Sequence, residues 1–414
     1  MPRPVGPRSR EFVAKWRKAP ESSSFALLPH ALRPRMRFRS LLGASVFSAL
    51  ASVLPAQAPV TAPGTEQFTV KSRGNGVEYV VQLWLPPGLD TMTVRPPVFI
   101  VTDANLAFHT VHETVAMLSI AGEVAPLIVV GVGYPQTDGR GYTPAYALSR
   151  TRDYTPTNIA EMPGGGGSAA FLAFLKDELV PMVETKYRAD PTRRGLGGHS
   201  LGGLFSTYAL LHEPGLFTRY WIGSPSLWWD KQVAFSWLPE AKKGSVQPFG
   251  RAYLTVGAEE SDVMVSPMQR MTRELTHSFP ALRVGSQVYE NESHGSVVGA
   301  AISRSLRFLY GQFGRPTVAL SPAARTQYIG DWKSPMMTVT VGPSLAGLEL
   351  SFQYTGLTMR TPLKAASPDT LFSAGAVSSQ FIAVRDAKGK VTALRGTMLG
   401  VTQEYTRATA KSRK

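Results

Sequence analysis

Arg194-Gly195-Leu196-Gly197-Gly198-His199-Ser200-Leu201-Gly202-Gly203 decides the fold of this 414-residue chain. The segment sets Gly-x-Ser-x-Gly where an apolar strand hands over to an apolar helix. A nucleophile elbow has this form: the serine occupies a strained turn, so only small residues fit two positions before and after it. Gly198 and Gly202 meet that demand. In a chain with 38 glycines such a match also arises by chance. The two readings separate on whether an acid and then a histidine follow later strands, in the order Ser, Asp/Glu, His.

Upstream, Phe68 to Lys71 and Val77 to Leu85 flank Arg73-Gly74-Asn75-Gly76, a hairpin signal because Asn-Gly accepts positive φ. Val98 to Val101, Leu127 to Val132, Gly195 to His199, Tyr220 to Ile222 and Tyr253 to Val256 are runs suited to strands covered on both faces. Val284 to Tyr289 supplies an eighth strand. Between them, Phe171, Leu172, Leu175, Leu179, Met182 and Val183 form one helical stripe, and Leu204, Tyr208 and Leu211 form another directly after Ser200. This alternation predicts a mostly parallel, doubly wound α/β sheet, with Ser200 after strand five at the carboxyl edge where such sheets bind ligands. The tract Gly164 to Ser168 reads as a loop into the next helix, since no phosphate-binding Gly-Lys-Ser/Thr accompanies it.

After Arg315-Pro316 the pattern changes. Met337 to Val341, Leu348 to Phe352 and Phe381 to Val384 mostly alternate, with no helical period, and predict a small all-β domain of about 90 residues, a size that folds alone. At the other end, Met36-Arg37-Phe38-Arg39, the apolar stretch Ser40 to Leu54 and Ala56-Gln57-Ala58 read as a secretory signal, with Met36 as the expected start and a cut after Ala58 or Ala51. The apolar stretch is too short to span a bilayer, so the expected product is an exported protein, periplasmic or secreted, without stable membrane insertion after signal removal. The expected organisation is therefore a basic arm and signal over 1–58, a linker over 59–66, the α/β domain over 67–315 and the β-domain over 316–410.

Charge narrows the partners. Residues 1–58 hold ten Lys/Arg and two Asp/Glu, which leaves +7 of the chain's +15 for residues 59–414. No basic run interleaved with aromatics occurs in that body, so no nucleic acid is expected as partner. The absence of cysteine excludes a thiol nucleophile, thiolate-bound metal and disulfides.

A serine hydroxyl needs a base within reach to take its proton. Among seven histidines, His294 in Asn291-Glu292-Ser293-His294-Gly295-Ser296 follows the last strand in a loop of small residues and is the candidate base. His199 adjoins the serine, and its side chain is expected to point away. The imidazole in turn needs a carboxylate after strand seven, where Gly257-Ala258-Glu259-Glu260-Ser261-Asp262 supplies three. Glu260 is the first choice, with Glu259 and Asp262 as alternatives. Backbone donors for the developing oxyanion are expected from Leu201 and, in the loop after strand three, from Ala104. No metal or organic cofactor is implied.

Four further stretches carry a resemblance. Arg150-Thr151-Arg152-Asp153-Tyr154-Thr155-Pro156-Thr157, Phe171 to Leu179, Gly198 to Phe205 and Ser224-Pro225-Ser226-Leu227-Trp228-Trp229-Asp230 together resemble the putative-esterase family of α/β-hydrolases, over roughly residues 67–315. Within it the chain is most similar to ferric-siderophore esterases that open catecholate trilactones. Feruloyl and acetylxylan esterases, S-formylglutathione hydrolases and mycolyl transferases share the architecture. The resemblance implies the α/β-hydrolase fold, a Ser-His-acid triad, an acyl-enzyme intermediate, and a small-molecule or oligomeric ester substrate. Many relatives carry Asp-Gly where this chain has Asp103-Ala104, which puts a Cβ in the oxyanion loop. Arg150 and Arg152 are candidates to receive an anionic substrate, or else to brace their loop against Asp153. Trp228 and Trp229 are expected to divide between lining the pocket and filling the core. An acyltransferase would carry the same elbow and triad, and a non-catalytic binding protein could retain the fold. Transfer to an alcohol acceptor and labelling by a fluorophosphonate distinguish these from a hydrolase.

Overall fold

The computed structural model describes residues 62–408 apart from 93, 136–141, 312–314, 346, 374–378 and 399–400. The signal and basic arm expected over 1–58 lie outside the described residues. A hairpin opens the chain: β1 (Thr65–Lys71) pairs antiparallel with β2 (Glu78–Trp84). Its first strand thus begins inside the stretch expected to be linker. β3 (Val98–Val101), β4 (Ile128–Gly133), β5 (Arg194–His199), β6 (Arg219–Gly223), β7 (Gly250–Gly257) and β8 (Leu282–Tyr289) complete a sheet of order β1-β2-β4-β3-β5-β6-β7-β8. Only the β1/β2 and β2/β4 pairs are antiparallel; the rest run parallel.

Parallel strands require crossovers, and the helical stretches provide them. They are α1 (Ala104–Ile120), α2 (Pro144–Tyr154), α3 (Ser168–Phe174), α4 (Val180–Tyr187), α5 (Leu201–His212), α6 (Trp229–Gln232), α7 (Leu238–Lys243), α8 (Asp262–Ser278) and α9 (Val297–Tyr310). The central strands β3 and β4 are apolar on both sides because both sides are covered. Val98 and Ile100 of β3 enter one core with Val130, Leu196, Ile222 and Leu254, whereas Phe99 and Val101 enter a second core with Trp221, Phe108 and Leu306. Glycines in β5 make room for the aromatics of the second core. A Cβ on Gly195 would lie 2.1 Å from Tyr310 Oη, and one on Gly197 would lie 2.4 Å from Phe99 Cζ.

The apolar stripe from Phe171 to Val183 is helical as expected but not one α-helix. Leu175–Leu179 forms a π-helical turn between α3 and α4. Pro181 has no N–H to give the preceding turn, and a widened turn accommodates that loss.

Beyond α9 and the short α10 (Pro322–Thr326), the chain forms a closed antiparallel barrel of eight strands. These are β9 (Gly330–Lys333), β10 (Thr338–Ser344), β11 (Gly347–Tyr354), β12 (Leu357–Ser367), β13 (Thr370–Ser373), β14 (Ser379–Arg385), β15 (Val391–Met398) and β16 (Val401–Arg407). β9 pairs with both β10 and β16 and so closes the ring. Tyr328, Trp332, Leu350, Phe381 and Tyr405 are fully buried in its core. No helix among the described residues is long and apolar enough to cross a membrane.

Candidate active site

Ser200 leaves β5 with φ 63° and ψ −119°, a left-handed conformation that costs a non-glycine residue about 1–3 kcal/mol and is held by its surroundings. Its N–H donates to Gly223 O at 2.9 Å, and its carbonyl accepts from Leu204 at 3.0 Å and Ser226 at 3.1 Å. The glycine requirement is steric. A Cβ on Gly198 would sit 2.4 Å from Gly202 O, and one on Gly202 would sit 2.4 Å from Thr102 Oγ1.

His294 and Glu260 come to the same place from the loops after β8 and β7. His294 Nδ1 and Glu260 Oε2 are 2.6 Å apart, and the Glu260 side chain is 1% exposed. Its other oxygen accepts from Ser224 Oγ at 2.6 Å and from the Gly257 N–H at 2.9 Å. Burial by itself would raise Glu260. The hydrogen bonds from His294, Ser224 and Gly257 outweigh it and hold the carboxyl below the usual glutamate range. Of the other two carboxylates in this turn, Glu259 is exposed, and Asp262 is exposed and accepts from Ser266. Backbone bonds stitch the two loops together: Ala258 N–H donates to Tyr289 O at 2.8 Å and Glu259 N–H to Glu292 O at 3.0 Å. Gly257 lets them touch, since a Cβ there would fall 2.1 Å from Glu292 O.

Ser200, His294 and Glu260 line one open pocket of about 460 Å³ together with Trp228, Ser226 and Met264. With Nδ1 engaged by Glu260, Nε2 is the ring nitrogen left to act in the pocket that His294 lines. The His199 ring does not line the Ser200 pocket but packs on His294, with centroids 4.5 Å apart. Both of its nitrogens are buried without a partner among the described residues, and burial followed by the neighbouring His294 pushes the imidazole down to about 4.

Leu201 opens α5 and Ala104 opens α1, so their N–H groups have no intrahelical acceptor. The Ala104 side chain is not part of the Ser200 pocket. Its Cβ rests over β4, where a Cβ on Gly131 would lie 2.8 Å away, so glycine on the neighbouring strand absorbs the extra carbon.

Both arginines are paired with carboxylates, and neither lines the pocket that holds Ser200. Arg150 is 9% exposed and grips Asp103 with Nε at 2.9 Å and Nη2 at 3.0 Å, while Tyr146 Oη donates to the same carboxylate at 2.5 Å. Burial disfavours the Arg150 charge, but Asp103 more than restores it and raises the guanidinium above its ordinary range. Arg152 is clamped bidentately on buried Asp153 at 2.7 and 2.8 Å. Both guanidiniums are thus committed to carboxylates, which is bracing geometry. Of the two tryptophans expected to divide between pocket and core, both candidates for substrate contact, Trp229 is the core member: it is fully buried and donates to Thr157 Oγ1 at 3.1 Å. Trp228 lines the pocket. Sequence reasoning missed Ser224, which is buried with φ 35° and orients Glu260. A serine between glycine and proline gives no signal of such a task.

The family profile described as "Putative esterase" matches residues 72–285. The ferri-bacillibactin esterase BesA of Bacillus subtilis is 32% identical over 270 residues, covering 60% of this chain and 90% of that protein. The siderophore triacetylfusarinine C esterase of Aspergillus fumigatus is 28% identical over 282 residues, covering 61% of this chain and 95% of that protein. Among solved structures, the BES protein from Bacillus cereus superposes with a TM-score of 0.55 at 30% identity, over 61% of this chain and 97% of that one.

Proposed function

The chain belongs to the putative-esterase family and is an esterase, and from that premise we propose that it hydrolyses siderophore esters by a serine mechanism through an acyl-enzyme. The observation that carries the mechanism is the 2.6 Å contact between His294 and Glu260 on the pocket that also holds Ser200 in its strained turn. Ser200 Oγ attacks the ester carbonyl as His294 Nε2 takes its proton, and Glu260 stabilises the imidazolium from Nδ1. The N–H groups of Leu201 and Ala104 receive the developing oxyanion. Collapse expels the alcohol, which takes the proton from His294, and water repeats the sequence on the acyl-enzyme. Siderophore esters are the proposed substrates because two relatives of substantial coverage are named for them. We also read the stretch from Met36 to Ala58 as an export signal, which puts the reaction outside the cytoplasm.

Replacing Ser200 with alanine tests the mechanism. Hydrolysis of 4-nitrophenyl butyrate and labelling by a fluorophosphonate should both vanish, with circular dichroism unchanged. Retention of either in a folded variant sinks the assignment. Release of free acid, rather than a new ester when methanol is added, separates hydrolysis from transfer.

A further inference from the structure

With Arg150 and Arg152 committed to carboxylates, positive charge beside the nucleophile has to be sought elsewhere. It gathers in a second cleft of about 560 Å³ that shares the Trp228 wall with the Ser200 pocket. Lys231, Arg270 and Arg273 line it, against one carboxylate, Asp262, which already accepts from Ser266. Arg270 and Arg273 stand three residues apart on α8, so two like charges sit side by side, an arrangement that costs stability rather than adding to it. Lys231 and Arg273 make no hydrogen bond or ion pair with another described residue. Arg270 is oriented by Gln232 Oε1 at 3.3 Å and by the Phe235 ring at 4.0 Å. Lys231 is carried by an unusual backbone: Asp230, Lys231 and Gln232 have φ of 44°, 53° and 65°, three successive left-handed residues without a glycine. Runs of this kind are strained, and here the strained run borders the cleft.

We propose that this cleft is a charge-selecting subsite, which holds an anionic arm of the ester remote from the scissile carbonyl while Trp228 covers the flat part between. The assignment rests on reading Ser200 as the nucleophile, because it takes the Ser200 pocket as the place of cleavage. The shared wall sets the layout. A substrate long enough to reach both spaces lays its reacting carbonyl by Ser200 and its oxyanions by Lys231, Arg270 and Arg273.

Two 4-nitrophenyl esters of equal chain length test it, one with a methyl-terminated and one with a carboxylate-terminated acyl chain. The readout is the ratio of kcat/KM, anionic over neutral, in the full chain. For Lys231→Gln/Arg270→Gln/Arg273→Gln the ratio should fall about tenfold, and in the unsubstituted protein it should shrink as salt rises. A ratio unchanged by the triple substitution overturns the proposal. Binding of benzene-1,3,5-tricarboxylate to the Ser200→Ala protein, read by calorimetry, gives a second measure without turnover. The triple substitution should weaken it about tenfold or more, and equal affinity in both proteins again overturns the subsite. If Ser200→Ala instead keeps full turnover, the nucleophile reading fails, while the calorimetry still decides the cleft.

Discussion

Asp103→Asn is the most demanding test of how the elbow is held. Asp103 and Arg150 are 8% and 10% exposed at their side chains, and Asp103 binds Arg150 through both oxygens. Asparagine keeps the shape and tolerates the φ of 55° that Asp103 adopts, so the backbone is not disturbed. What changes is charge. An amide NH2 would then face one Arg150 donor, and the guanidinium, which cannot shed its proton, would keep the remaining amide oxygen and the His199 carbonyl at 3.5 Å but lose its counter-charge. Breaking a buried pair from one side costs about 3–5 kcal/mol, and most of that is the stranded charge. Arg150→Met on top of Asp103→Asn removes the stranded charge, so the double variant should be more stable than Asp103→Asn alone. Urea titration read by hydrogen exchange at α1, α2 and β5 amides separates this unit from the barrel. A coupling above about 2 kcal/mol is expected between the two sites. A loss below about 1 kcal/mol in Asp103→Asn, or simple additivity, would refute the argument that this ion pair braces the elbow.

Other outcomes follow from the same geometry. Glu260→Gln should lower kcat by about 10²–10⁴ with little change in KM, because the amide favours the wrong His294 tautomer; steady-state kinetics check this. Glu260 has its folded-state pKa depressed, so its contribution to stability is fully present above its unfolded value near 4.5 and is lost as pH falls through the lower folded value. The acid limit of the Glu260–His294 contact should therefore lie below 4.5, which NMR of the His294 ring can follow. His199 behaves differently, since it is a base kept neutral. Between about 6.5 and about 4 the unfolded chain binds a proton that the native ring refuses, so stability falls as pH drops across that window. His199→Phe should remove on the order of 3 kcal/mol of that loss, read as unfolding free energies from urea titrations between pH 7 and pH 4.

Much of the α/β layer could be read from residues alone because its constraints are local or ordered. Gly198 and Gly202 had to flank Ser200 at fixed spacing, since Thr102 and the Gly202 carbonyl leave no space for a Cβ. Glu260 and His294 had to come after Ser200 because the loops leaving β7 and β8 reach the edge where β5 ends. What stayed hidden depends on distant partners. Nothing near Arg150 announces Asp103, which lies 47 residues away, so a buried ion pair was open to being read as a substrate grip. Trp228 and Trp229 are adjacent, and only the turn after β6 decides that one lines the pocket and the other is buried. The barrel gave up three of its strands, but its closure depends on β9 meeting β16 more than 60 residues later, a pairing that leaves no periodic trace.

The backbone stitching of the loops after β7 and β8 also governs how the site can move and how it can change over generations. Gly257 lies against Glu292, and Ala258 and Glu259 are bonded across to Tyr289 and Glu292, so Glu260 and His294, the proposed acid and base, sit on two loops tied to each other. The other bank of the pocket is formed by Ser226 and Trp228 in the turn after β6, which carries no such backbone tie to these loops among the described residues. An insertion or deletion tolerated there would reshape the opening. One placed between Gly257 and His294 would displace both partners of the imidazole–carboxylate contact at once.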